Sequence, residues 1–226
     1  ADASSVNSTG LTSFGTTGYT IGSAGGYNNS GGTYVSWTFR EQPKFFDVVT
    51  WTGNATNRTI AHSLGSVPGS IIVKRTDTTA AWAVYHRSLA NTEYLVLNTT
   101  AAAATGATWW NSTTPTSAVF SVGTDASVNA SGGTYVAYLF AHDAGGFGLE
   151  GTDNVISCGS FTTDGSGNAT VSLGYEPQWV MIKRSDASDD WIMLDVMRGM
   201  SFSNCLKLAA NASSAEFNLG ANQTFP

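Results

Sequence analysis

The sequence predicts an all-β fold of tandem β-sandwich or jelly-roll-like units of about 100 residues each. Three observations carry this. Only 12% of the 226 residues are charged, whereas 42% are hydrophobic and 12% aromatic. Helical proteins clothe their exposed faces with Glu, Lys, Arg and Leu, which are scarce here, while β-branched, aromatic and Gly residues abound. The apolar residues fall in short runs separated by Gly, Asn, Pro and Ser clusters, the spacing of strands and turns. Finally, the chain repeats itself.

Ser30-Gly31-Gly32-Thr33-Tyr34-Val35 recurs identically as Ser131-Gly132-Gly133-Thr134-Tyr135-Val136, a displacement of 101, and Tyr19-Thr20-Ile21-Gly22 matches Phe120-Ser121-Val122-Gly123 at the same displacement. A second set is displaced by 109: Leu64-Gly65, Pro68, Lys74-Arg75, Asp77 and Trp82 recur as Leu173-Gly174, Pro177, Lys183-Arg184, Asp186 and Trp191. The extra residues fit the Gly-rich stretch 144–151, which reads as a linker. Residues 1–41 are then the closing part of a first β unit, 42–143 a complete unit, and 152–226 a third unit that stops before its own Ser-Gly-Gly-Thr-Tyr-Val hairpin. Open strand edges are normally paired or covered, which predicts a homo-oligomer, with a trimer favoured.

In chain order the runs 33–40, 45–51, 70–75, 82–86, 94–98, 118–122 and 134–140 read as strands. In the last, Tyr135, Ala137 and Leu139 alternate with Val136, Tyr138 and Phe140. Both faces are apolar, as in a strand packed between two layers. The repeat pairs Ile72, Val73 and Trp82 with Met181, Ile182 and Trp191, which places Trp82 in a core.

A net charge of −6 opposes binding to a phosphate backbone, so nucleic acid is not an expected partner. No apolar run approaches the roughly 20 residues that cross a bilayer, so no membrane insertion is expected. Two cysteines, Cys158 and Cys205, allow one disulfide at most and fit free, buried thiols better. His62 corresponds to Val171 and His86 to Asp195 at the 109 displacement, which excludes a catalytic role repeated in each unit. Asp164-Gly165-Ser166-Gly167-Asn168 starts like a calcium loop but lacks the Gly and distal Glu that complete one, and reads as a turn. No metal site, cofactor or catalytic set is expected, and the chain reads as a non-enzyme.

Lys74, Arg75 and Trp82, with Lys183, Arg184 and Trp191, read as a repeated framework in which a basic strand end meets an indole across a hairpin whose turn carries Asp77 or Asp186. Trp109-Trp110-Asn111 is the candidate for glycan or partner contact. On a strand the adjacent indoles point to opposite faces and one is free to bind; a two-layer core buries both.

Phe46-Asp47-Val48-Val49-Thr50-Trp51-Thr52-Gly53, His62-Ser63-Leu64-Gly65, Pro68, Ile71-Ile72-Val73-Lys74-Arg75, Trp82, Tyr85-His86 and Asn129-Ala130-Ser131-Gly132-Gly133-Thr134-Tyr135-Val136-Ala137-Tyr138 resemble a repeat of virion proteins from tailed bacteriophages, especially those of cyanobacteria and other marine bacteria. Leu173-Gly174-Tyr175-Glu176-Pro177-Gln178-Trp179-Val180-Met181-Ile182-Lys183 and Asp195-Val196-Met197-Arg198-Gly199 resemble the variant near the C-terminal ends of tail-fibre-like proteins. The resemblance implies a non-enzymatic structural or adhesive virion component, a tail fibre or host-contacting spike, whose partners are other virion proteins and a host cell-surface glycan. A carbohydrate-binding module of a secreted or surface-layer protein, and a capsid-decorating appendage, are the alternatives.

Overall fold

The computed structural model describes residues 2–5, 7–23, 25, 26, 28–198, 200, 201 and 204–218. In chain order its strands are β1 (Leu11–Phe14), β2 (Tyr19–Ile21), β3 (Phe46–Thr52), β4 (Arg58–Ala61), β5 (Ser70–Arg75), β6 (Trp82–His86), β7 (Glu93–Val96), β8 (Ala104–Thr105), β9 (Val119–Val122), β10 (Thr134–Phe140), β11 (Trp179–Lys183), β12 (Trp191–Asp195), β13 (Met200–Ser201), β14 (Asn204–Ala209) and β15 (Phe217–Asn218). Two single-turn helices, α1 (Ala107–Trp110) and α2 (Ala126–Asn129), flank β9. Every strand pairing is antiparallel, and the fold is all-β.

The main sheet has six strands in the order β3-β10-β5-β6-β7-β8. β10 lies between β3 and β5, with Ala137 opposite both Val49 and Val73. One face of the sheet carries Trp51, Ile71, Val73, Ala83, Tyr85, Tyr135, Ala137 and Leu139, and buries them against Ile60, Trp109, Trp110, Phe120, Val122 and Val128 of the β4–β9 ribbon and the two helices. The alternate residues Ile72, Val84 and Leu95 face the other way and form a second cluster with Met181, Trp191 and Ala210. Period-two alternation thus feeds two cores from one sheet. The second layer is tied on by hydrogen bonds from Trp191 Nε1 to the Val96 carbonyl (3.1 Å), Ala103 N to Ser185 O (2.8 Å) and Asp189 N to Thr100 O (2.9 Å).

The hairpin β11–β12 repeats β5–β6 residue for residue. Lys74 stands opposite Trp82 and Lys183 opposite Trp191; Ile72 stands opposite Val84 and Met181 opposite Met193. The next strand is placed alike, with Val84 opposite Leu95 and Met193 opposite Leu208, but there the displacement has grown to 113. The added residues lie in the connection from β12 to β14, where the buried Arg198 guanidinium bonds Asp195 Oδ2 (2.7 Å) and the Met193 carbonyl (3.1 Å). The same pin closes both copies: Asn98 Oδ1 accepts from Trp82 N (2.8 Å), and Asn211 Oδ1 from Trp191 N (2.7 Å).

The Ser-Gly-Gly-Thr-Tyr turn is also built twice in one geometry. Gly31 and Gly132 are left-handed (φ 75° and 72°), and the tyrosine hydroxyl accepts a backbone N–H in each, Asn29 to Tyr34 (2.8 Å) and Ala130 to Tyr135 (2.7 Å).

Two expectations need correction. Residues 33–40 are not a strand: they are largely exposed, and among the described residues none lies beside them as β3 and β5 lie beside β10. A strand exists only where a partner takes its backbone groups. Trp82 is only half-buried, whereas its equivalent Trp191 is 6% exposed, since Trp191 sits between the two layers and Trp82 at the margin of the first. Elsewhere the expected strands stand within about two residues of their predicted bounds, as sequence reading allows. β1, β2, β4, β8, β13, β14 and β15 lie outside the expected runs.

Truncating Trp191 to Ala is expected to cost about 3–5 kcal/mol, as for a buried aromatic, and Trp82→Ala clearly less. Urea denaturation of both variants checks the ranking, and a larger loss for Trp82→Ala would contradict the layer assignment.

Candidate functional site

The Trp109-Trp110-Asn111 candidate is folded by local chemistry. Gly106 takes an extended backbone before α1, and Asn111 ends the helix in the left-handed region (φ 52°). Asn tolerates that conformation better than most residues. A helical turn, unlike a strand, sends both neighbouring indoles toward the sheet, and Trp109 is 8% and Trp110 1% exposed. Trp109 stacks on Tyr94 with centroids 3.6 Å apart and rings 7° from parallel, while Trp110 meets the edge of Tyr85 at 5.9 Å. Trp110 Nε1 has no hydrogen-bond partner among the described residues. Trp109 and Trp110 are core, packed on tyrosines, and form no exposed platform, while Asn111 is half-buried.

The framework residues lie on the two hairpins, with Lys74 opposite Trp82 and Lys183 opposite Trp191. Lys74 is buried, its Nζ capping the Ala80 carbonyl (3.2 Å), and desolvation lowers its pKa. Lys183 donates to the carbonyls of Arg184 (2.7 Å) and Thr100 (3.1 Å). Arg75 grips Asp77 in a fork, Nε to Oδ1 (2.9 Å) and Nη2 to Oδ2 (2.8 Å), and Arg184 grips Asp186 likewise at 2.8 and 3.4 Å. The fork holds the Asp77 carboxyl well below the usual carboxylate range. Asp77 Oδ1 also accepts from Thr134 N (3.1 Å), and the Thr76 and Thr134 hydroxyls meet at 2.7 Å, so this turn latches the start of β10 to β5.

The fold assembles a cluster that sequence spacing did not announce. His142 Nδ1 accepts from Cys158 N (3.1 Å) and lies 3.5 Å from Asp143 Oδ2; Ser157 Oγ donates to Asp143 Oδ1, and Tyr175 donates to Ser157 Oγ (3.1 Å). Its members come from sequence-distant stretches with no shared motif, so nothing in the sequence marked it. The serine hydroxyl is directed at a carboxylate rather than at an imidazole. The Cys158 thiol, free and packed against the Ala141 carbonyl (3.4 Å), is pushed up to about 12 by burial. A thiol so raised is inert.

Asp164 accepts from Ser166 N (2.8 Å) and Asn168 N (2.9 Å), an ordinary Asx turn. Among the described residues no group of three or more His, Cys, Asp or Glu is arranged to hold a metal ion. No described helix is long and apolar enough to cross a membrane. The side chain of Cys205 lies outside the described residues.

A family model described as a domain of unknown function, DUF7483, matches residues 1–225. The chain belongs to this family. The match runs through both sets of repeated residues, so the DUF7483 pattern takes in the complete sheet and the hairpins packed on it. No curated protein and no solved structure matches the chain.

Two solution properties of this DUF7483 domain follow. With Cys205 replaced by Ser, alkylation of the native protein at pH 8 is expected to run at least about a hundredfold slower than that of the urea-unfolded chain, because so little Cys158 is thiolate; equal rates would remove the buried-thiol assignment. His62, His86 and His142 all have pKa values lowered by desolvation, their largest cause. A depressed histidine gives stability that is present above its unfolded pKa of about 6.5 and is lost as pH falls through the folded value. The melting temperature should therefore drop between pH 7.5 and 5.5, and replacing the three histidines with Gln should flatten the drop. A midpoint that rises on acidification contradicts this.

Proposed function

We infer that the chain is a structural and adhesive component of a bacteriophage particle, a tail fibre or host-contacting spike, made of tandem β-sandwich units of about 100 residues. The observation that supports this reading most is that what repeats is framework. The Lys–Trp cross-strand pair, the Arg–Asp fork, the asparagine pin and the Gly-Gly-Thr-Tyr turn recur in geometry, while the histidines and Cys158 do not recur. Selection for a stacked scaffold preserves such devices in every unit, as in other repeat proteins. The low-charge Ser/Thr/Asn surface suits contact with neutral glycan and with other virion proteins. In this reading the chain acts by binding, not by catalysis, needs no cofactor, and resides in the virion as a homo-oligomer, a trimer being the favoured form.

Gold-labelled antibody raised against the purified chain is expected to decorate the appendages of phage particles that encode it. Labelling absent from intact and disrupted particles, or release of reducing ends from host envelope glycan by the purified chain, would overturn the reading.

A further inference from the structure

In the main sheet the edge of β5 is filled by β10, latched by Asp77 Oδ1 accepting from Thr134 N and by the Thr76 and Thr134 hydroxyls. The hairpin β11–β12 copies β5–β6, but β11 lies at the edge of its sheet, paired only with β12 among the described residues. Its latch stands ready: Arg184 forks Asp186 as Arg75 forks Asp77, and Ser185 replaces Thr76.

The strand that matches this edge is also present. Residues 30–35 are identical to 131–136, including Thr33 at the place of Thr134, and their turn has the same left-handed glycine and tyrosine cap. Residues 33–40 have no strand partner among the described residues, with Tyr34 47% and Val35 44% exposed. They are anchored by side chains: Phe39 packs on the rings of Phe45, Phe46 and Phe140, and Trp37 lies over the Arg198 guanidinium at 5.9 Å. Phe39 thus ties the end of the segment to the complete sheet and Trp37 reaches the β12–β14 connection, yet among the described residues the segment pairs with no strand, its own β11 included.

We propose that residues 33–40 of one copy of this chain form the strand that fills the β11 edge of a second copy. Carrying the β10–β5 pairing across by the two displacements sets the register: Tyr34 opposite Arg184, Val35 opposite Lys183, Ser36 opposite Ile182 and Phe39 opposite Trp179, with Thr33 N donating to Asp186. Main-chain hydrogen bonds supply the affinity and the repeated turn supplies the register. The donor and acceptor surfaces differ, so the contact is heterologous and propagates head to tail, closing as a ring or continuing as a fibre. The inference rests on the tandem-unit part of the function proposed above and not on its phage setting.

Cysteine cross-linking of the full chain tests it. In a Cys205→Ser background, Ser36→Cys protein is mixed with Ile182→Cys protein and oxidised; a covalent species of twice the 23.6 kDa chain mass is expected. Pairing Ser36→Cys with Met181→Cys, whose side chain points to the opposite face, should give none. Light scattering should report an oligomer for the unaltered chain. That oligomer should be lost to monomer in Val35→Pro, which removes a strand N–H, and weakened at least tenfold in Asp186→Ala, an exposed change, with the far-UV circular dichroism of the folded chain unchanged in both. A monomeric unaltered chain, a chain carrying both Ser36→Cys and Ile182→Cys that cross-links only within itself, or oligomers indifferent to both variants would overturn the proposal. Unlabelled phage particles alongside an intact intermolecular cross-link would remove the phage setting and leave the strand exchange standing.

Discussion

Strand β10 is hydrogen-bonded along both of its edges, and the other parts of the main sheet are placed by that double pairing. A backbone N–H or C=O left without a partner in a protein interior costs about as much as a lost hydrogen bond. β10 has seven register partners on β3 and six on β5, and its residues turn their backbone groups alternately to one neighbour and the other. Holding both neighbours in register also fixes which residues face which way, because a slip of one residue would exchange the two faces. Tyr135, Ala137 and Leu139 enter the large core, while Tyr138 and Phe140 join the ring cluster with Phe46 on the other side. The Gly-Gly turn that precedes the strand and the tyrosine cap that ends the turn give β10 its starting point.

The hairpin copies β5–β6 and β11–β12 show a framework that defines register with few residues. A lysine opposite a tryptophan, an Arg–Asp fork in the turn and an asparagine accepting from the tryptophan N–H recur, although the cores around them are filled differently. Each of these pins is polar and at a strand end, where its partner is decided by the turn rather than by packing. Apolar positions such as Ile72 and Met181 are free to vary in shape, since hydrophobic burial is non-directional. The two copies meet through Val84, Leu95 and Trp191, so the second layer lends the first sheet a dry second face.

The chemistry-bearing residues follow the same logic of burial. Cys158, His142 and Asp143 are gathered where the polypeptide leaves the main sheet, and the contacts there take up the Cys158 N–H and the Ser157 hydroxyl. The Trp109–Trp110 pair contributes area to the core, with Tyr94 and Tyr85 as stacking partners.

By itself the sequence determined the all-β class, from its composition, and the equivalence of the two hairpins, from displacements that turn out to be strand registers. It also determined the turn at Ser131-Gly132-Gly133, because left-handed glycine leaves a signature that no packing can alter. What it could not determine was pairing. Residues 33–40 and 134–140 begin with the same run of amino acids, yet one is a central strand and the other is not, since strand formation depends on neighbours far away in the chain. The helical turn at Trp109 and Trp110, the shift to 113 beyond β12, the shallow seat of Trp82 and the deep one of Trp191 were likewise settled only when the layers packed. Local sequence sets the conformation of a turn and the alternation of a strand; which edges meet and which faces close is a property of the assembled fold.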